Sequence, residues 1–348
     1  MNSLIRKSIQ SLQGYVPGEQ PQDPGFVKLN TNENPYPPSP QVGQRLASLA
    51  VDQLRLYPDP VCRKLRDGLA ALHQCSPDQI FVANGSDEVL RMCVQAFAER
   101  NGSVGFFEPS YSLYPVLSDI EGIVSRPVRL WPDFSWSMPA DYEASLFFLA
   151  NPNAPTGIQY PRETVSGFCS RFSGVVLVDE AYVDFADYNC VDLALSLKNV
   201  LVARTFSKSY SLAGLRVGYI LGSKELIDVF YKTKDSYNVD RLAQEIALAA
   251  IQDAGYMRGN VSRIRQTRAR VSAELERRRF LVHPSATNFL WVRPPDLSAL
   301  ELYEKLKARK ILVRYFKDEV AKDYLRITMG TDEQMDVFLR GVDEILHS

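Results

Sequence analysis

Three short apolar runs, each breaking off at a polar residue, constrain this chain more than anything else in it. Leu146-Phe147-Phe148-Leu149-Ala150 ends at Asn151, Val175-Val176-Leu177-Val178 ends at Asp179, and Val200-Leu201-Val202-Ala203 leads through Thr205 to Ser207-Lys208. Runs that are apolar at every position, not at alternate ones, suit strands buried on both faces of a parallel sheet. Open α/β sheets hold their ligands outside the carboxyl ends of such strands. The expectation is an α/β chain in which Asn151, Asp179 and Lys208 line one crevice. Singly, each residue has a plainer explanation. An Asp after a strand caps the next helix, and a lysine at a strand end is usually a solvated surface residue. The three together point to a site.

The stretch after the third run adds charge to that site. Arg216 follows Lys208 in a glycine-containing turn, so two cations and the hydroxyls of Thr205 and Ser207 converge on one anion, and a phosphorylated ligand fits. A second phosphate contact is expected after Ile80-Phe81-Val82-Ala83, where Asn84-Gly85-Ser86 turns into a helix with the apolar stripe Val89, Leu90, Cys93, Val94 and Phe97. The free N–H groups and positive dipole end of that helix attract anions, and Gly85 lets the backbone approach closely. Asp87 and Glu88 suit a first turn but repel a phosphate unless their carboxylates point away. Binding is therefore assigned to Gly85, Ser86 and the Asp87 amide. Another strand, Val104 to Phe107, leads to Tyr111, whose ring is placed to stack on a flat ligand ring.

The rest of the sequence bounds the alternatives. At 348 residues the chain has room for two domains. A formal charge of -1 provides no global field for nucleic acid or an anionic membrane. Neither G-x-G-x-x-G nor G-x-x-x-x-G-K-[ST] occurs. Five cysteines without a C-x-x-C pair, and three scattered histidines, argue against a disulfide framework or a metal centre. Met1 to Gln10 is polar and carries Arg6 and Lys7, unlike a signal peptide or a membrane span, so a cytoplasmic protein is expected. Residues 11–40 read as an irregular arm that docks through Tyr15, Phe26, Val27 and Leu29. Helices are expected at 224–230, 243–251, 258–279, 300–308 and 333–346, and strands at 286–292 and 324–329. This pattern gives a large domain over 45–245 and a small α+β domain from 246–348 with residues 1–44. On the last strand Arg326 shares a face with Tyr324 and Thr328, opposite Leu325, Ile327 and Met329.

Asn151-Pro-Asn-Ala-Pro-Thr-Gly157, Asp179-Glu-Ala-Tyr182 and Ser207-Lys208 with Arg216 together resemble the fold-type I pyridoxal-phosphate-dependent aminotransferases. Leu29-Asn30-Thr31-Asn32-Glu33-Asn34-Pro35 and the compact length are similar to the branch that acts on histidinol phosphate. The resemblance implies a large α/β/α domain with a mostly parallel central sheet and a small α+β domain. It implies pyridoxal 5'-phosphate joined to Lys208, with Asp179 on the pyridine nitrogen and Asn151 and Tyr182 on the ring hydroxyl. Gly85, Ser86, Asp87, Thr205, Ser207 and Arg216 would hold the phosphate, and Tyr111 the ring. Tyr15, Asn32, Arg314 and Arg326 would meet small amino and keto substrates, and Tyr57 would reach the phosphate of a neighbouring subunit in a homodimer. Amino transfer between histidinol phosphate and 2-oxoglutarate follows as the expected activity. Threonine-phosphate decarboxylation, aromatic amino-acid transamination and a non-catalytic ligand-binding role are the alternatives.

Overall fold

The computed structural model describes residues 4–21 and 23–347. Thirteen strands are present among them: Val27–Lys28 (β1), Ile80–Ala83 (β2), Ser103–Glu108 (β3), Val124–Arg129 (β4), Leu146–Ala150 (β5), Val175–Asp179 (β6), Val200–Thr205 (β7), Gly218–Gly222 (β8), Leu281–Val282 (β9), Phe289–Arg293 (β10), Ile311–Leu312 (β11), Arg314–Tyr315 (β12) and Leu325–Thr328 (β13). A seven-stranded sheet runs in the order β2-β8-β7-β6-β5-β3-β4. Its pairs are parallel except those made by β8, which runs against β2 and β7.

The apolar runs form the middle of this sheet. Every residue of β5 is buried, and the inward-facing positions alternate between two cores. Phe147 and Leu149 pack with Phe168 and Val165 on one face, whereas Leu146 and Phe148 pack with Tyr114 and Leu117 on the other. Each such fully buried side chain contributes roughly 1.5–3 kcal/mol relative to exposure. Helices therefore cover both faces, and the fold class is α/β.

A four-stranded antiparallel sheet, β12-β13-β10-β9, and the long helix Ala254–Arg277 make up most of the C-terminal third. That helix buries Met257, Val261, Ile264, Val271 and Leu275 at spacings of one helical face. Its arginines pair outward, Arg270 with Asp332 and Asp336, and Arg278 with Glu274 and Asp343. The charged helix thus begins four residues earlier than its charge pattern suggests, because Ala254 to Met257 carries no cation to mark it. Strand β10 starts at Phe289 and not at residue 286. Thr287 and Asn288 are fully buried there, their side chains donating to the Phe289 and Asn32 carbonyls, and only the Asn288 carbonyl continues the pairing by accepting the Met329 N–H.

The N-terminal arm is docked. β1 pairs in parallel with β11, Asn30 donates to the Glu19 carbonyl at 2.8 Å, and Lys307 pairs with Glu19. These contacts tie residues 19 and 27–30 of the arm to the C-terminal part of the chain.

Candidate active site

A cavity of about 230 Å³ opens at the carboxyl ends of β5, β6 and β7, where Ala150, Asp179 and Thr205 line it. The parallel register brings Ala150 beside Asp179 and Asp179 beside Ala203. Asp179 is buried, its Oδ2 accepts the Tyr114 hydroxyl at 2.8 Å, and its Oδ1 accepts the Ala181 N–H at 3.1 Å. Burial raises the proton affinity of the carboxyl, and these two donors oppose the rise. Tyr114, itself fully buried, was not foreseen from sequence. Its only signal was a second tyrosine one helical turn after Tyr111.

Opposite Asp179 lies a cup of donors. Gly85, at φ +79°, precedes helix Ser86–Phe97, and a Cβ there would sit 2.6 Å from the Arg216 guanidinium. A Cβ on Gly218 would sit 2.6 Å from the Ser86 nitrogen, so β8 and the helix start touch backbone to backbone. Arg216 reaches in from a left-handed residue and lies 3.5 Å from the Ser207 hydroxyl, which in turn bonds Thr205 at 2.9 Å. The two acidic residues part company. Glu88 turns away to Asn238 and the Asn84 N–H, as phosphate binding requires. Asp87 turns in, pairing with Arg216 at 3.1 Å and accepting from Tyr111 at 3.3 Å. An anion in this cup competes with the Asp87 carboxylate for Arg216.

Lys208 stands between these features. Its amine donates to the Thr31 carbonyl at 3.2 Å and lies 5.8 Å from the centre of the Tyr182 ring. Burial, with Arg326 and Arg216 nearby, lowers its pKa to about 8, while Glu33 and Asp87 oppose that shift. The backbone around it is held from the arm, since Asn34 donates to the carbonyls of Lys208 and Ser209.

The far wall carries the two arginines. Arg326 donates to the Asn30 carbonyl at 3.0 Å and lies about 5.3 Å from the Phe289 ring and 5.4 Å from the Phe316 ring. Its Nε has no partner, and no carboxylate of the described residues pairs with it. Burial lowers its proton affinity, yet a guanidinium stays charged, so this cation waits for an anion. Arg314 also lines the cavity but is engaged by the arm, donating to the carbonyls of Val16 at 2.9 Å and Pro17 at 3.2 Å. Tyr15 and Tyr111 meet edge to face at 5.6 Å across the mouth.

Three expected positions need correction. Asn151 is fully buried but does not line the cavity. It lies one residue past the Ala150–Asp179 pair, its Oδ1 accepts from the Tyr160 N–H at 3.0 Å, and its Nδ2 donates to Tyr188 at 3.1 Å. The second hydrogen of that amide faces the Cys190 Sγ at 4.0 Å, so the side chain is turned into the core and away from a ring hydroxyl. Asn32 lines the cavity, but its amide is bound to Tyr182 at 2.8 Å and Thr328 at 2.9 Å, not presented to a substrate. Asp87 contributes a carboxylate where only its amide was expected to matter. Tyr57 lies apart from its own chain's cavity, 76% exposed and stacked on Tyr237 at 4.3 Å.

The residues present fit pyridoxal phosphate. A backbone cradle with an arginine suits the phosphate, a buried carboxylate suits the ring nitrogen, an uncharged-prone lysine suits the aldehyde, and an orphaned guanidinium suits a substrate anion. Comparison with known proteins agrees. The profile of the family described as "Aminotransferase class I and II" matches residues 24–342. The chain is 45% identical over 345 residues to a histidinol-phosphate aminotransferase of Syntrophotalea carbinolica, covering 98% of this chain and 99% of that protein. It is 43% identical over 344 residues to the protein of the same name from Microcystis aeruginosa, covering 98% of each. The crystal structure of histidinol-phosphate aminotransferase from Sinorhizobium meliloti in complex with pyridoxal-5'-phosphate superposes with a TM-score of 0.88 at 25% identity, over 100% of this chain and 98% of that one.

Proposed function

The chain belongs to the aminotransferase class I and II family, and we propose that within it the protein moves an amino group from histidinol phosphate to 2-oxoglutarate, giving imidazole acetol phosphate and glutamate. One observation carries this reading: a buried lysine and a buried arginine without a carboxylate partner face one cavity. The names of the relatives support the substrate pair.

When bound, pyridoxal phosphate supplies an aldehyde that bonds amines and a ring that draws electrons from the substrate carbon. The chain supplies the rest. Gly85, Ser86, Thr205, Ser207 and Arg216 would hold the phosphate, Arg216 exchanging its pairing with Asp87 for it. Asp179, its charge supported by Tyr114 and the Ala181 N–H, would keep a proton on the ring nitrogen. Lys208, whose amine gives up its charge near pH 8, takes the proton from the substrate Cα and returns it on the far side of the transfer. Arg326 binds the anionic end of each substrate through a planar fork that accepts phosphate and carboxylate alike. Arg314 holds the arm over the mouth.

The same proposal assigns residues 45–245 to the cofactor and residues 1–44 with 246–348 to the substrate. It makes the active unit a homodimer, supported by the exposure of Tyr57 beside exposed Leu46, Val51, Leu54 and Leu56. A cytoplasmic location belongs to it too, supported by five free cysteines. Among the described residues no helix is long and apolar enough to cross a membrane. A substrate panel tests the reading: glutamate should form from 2-oxoglutarate with histidinol phosphate as donor. Carbon dioxide release from threonine phosphate, or turnover of phenylalanine with none of histidinol phosphate, would replace it.

A further inference from the structure

We infer that Asn32 and Thr328 form a hydrogen-bond relay that fixes Tyr182 as a donor into the cavity, making both of them positioning residues. The polarity follows from one group that cannot reverse. The backbone N–H of Asn32 donates to the Thr328 hydroxyl oxygen at 3.0 Å. That hydroxyl therefore sends its own hydrogen elsewhere, and Asn32 Oδ1 lies 2.9 Å away to accept it. With Oδ1 committed, the other end of the amide is the NH₂ group, and it donates to the Tyr182 oxygen at 2.8 Å. The Asn32 backbone is clamped as well, since Asn288 donates to its carbonyl at 3.0 Å.

Tyr182 is thus an acceptor on its protein side. Its hydroxyl hydrogen has no acceptor among the described residues, and the side chain lines the cavity. Phe289 meets its ring edge to face at 5.2 Å and holds the ring in place without offering a polar group. The hydrogen is directed at the ligand. Resting on the proposed function, that ligand atom would be the oxygen of the cofactor's ring hydroxyl, next to the aldehyde carbon that the Lys208 nitrogen would bond. A donor to that oxygen favours its negative charge and so lowers the proton affinity of the neighbouring nitrogen. Thr328 lies two residues from Arg326 on β13, so the strand that clamps the substrate anion also sets the direction of this donor.

The test reads the resting holoenzyme, not its turnover: the pH midpoint at which the absorbance of the bound cofactor changes. The charged groups facing Tyr182 are Lys208, Arg326 and Asp179, those facing Lys208 also include Glu33, Arg216 and Asp87, and none is altered in the variants compared. Thr328→Val keeps the branched shape but frees the amide to turn its oxygen toward Tyr182. The midpoint should rise by up to about one unit, the size of a single hydrogen bond. Tyr182→Phe should raise it similarly, and Thr328→Ser should keep the wild-type midpoint. Because the relay acts through Tyr182, Thr328→Val should add nothing in the Tyr182→Phe background. Thr328→Ala, which removes the same hydroxyl without adding a charge, provides the same comparison if Thr328→Val does not fold. A wild-type midpoint in Thr328→Val alongside a shifted one in Tyr182→Phe, or additive shifts in the double variant, overturns the relay alone. An unmoved midpoint in Tyr182→Phe overturns the reading of Tyr182 on which the relay rests.

Discussion

Replacing Tyr114 by Phe removes a single oxygen from behind the site and should slow the chemical step without unfolding the protein. The ring of Tyr114 stacks on Phe148 at 4.7 Å and meets Tyr111 edge-on, contacts that Phe retains. What goes is the 2.8 Å hydrogen bond to Asp179, one of two donors that the described residues give this carboxylate. A hydrogen bond to a charged group is worth about 1.5–3 kcal/mol. Burial already favours the neutral carboxyl, so the loss falls on the charged form that must hold a proton on the ring nitrogen. If the whole of it is felt as the substrate proton leaves, the rate falls roughly tenfold to a hundredfold. The assay is a single half-reaction in a rapid-mixing instrument, following cofactor absorbance after adding glutamate, with and without deuterium at Cα. The isotope effect should grow as proton removal becomes limiting. A wild-type single-turnover rate in a variant that melts at the wild-type temperature would refute the argument, because the bond would then be absent or without influence on Asp179.

Further outcomes follow from the same geometry. In cofactor-free protein the capture of pyridoxal phosphate should accelerate with a midpoint near pH 8, since only the neutral Lys208 amine reacts. This group's folded pKa lies below its ordinary value, so the stability it contributes is present above about 10.5 and is lost as pH falls through 8. Lys208→Met should flatten that slope in denaturant titrations. Arg326→Lys should impair both half-reactions, because a point charge cannot reproduce the two-pronged grip, and a loss confined to one substrate would move the anion site elsewhere. Arg314→Ala should speed hydrogen exchange across residues 15–18, within which it holds the carbonyls of Val16 and Pro17, and unchanged exchange there would show that the arm is anchored otherwise. Mixing inactive Tyr57→Ala and Lys208→Ala chains should restore activity in heterodimers, and demonstrated heterodimers without activity would place both residues in one chain's site.

The parts of the fold that could be read from the residues are those where one physical requirement acts alone. β5, β6 and β7 were legible because burial on both faces leaves no polar position to blur the run. β4 was not, because it is an edge strand with Pro127 in its middle and only Val128 buried. β8 was hidden in the turn that follows Lys208, where its glycines looked like loop, although Gly218 is required by backbone contact with Ser86 and Gly222 by contact with Leu201. At the site, Asp179 and Lys208 could be placed from the strand ends themselves. Asn151 could not, since one residue of register decides whether a side chain faces the crevice or the core behind it. Tyr114 and Thr328 act through partners distant in sequence, and no local pattern marks such a pairing.

The docked arm also has a consequence for how this protein is made. Asn32 and Thr328 meet although 296 residues separate them, and β1 finds its partner only in β11. A ribosome releases the arm first and the strands that receive it last. Throughout synthesis the seven-stranded sheet can assemble with Lys208 and Asp179 in place, while Arg326, Thr328 and the dock for Leu29 are still inside the translation machinery. The wall that carries Arg326 and Thr328 can therefore be added only after the rest of the chain is made, and a chain cut short before β13 would keep the residues of the cofactor's cradle but lack that wall.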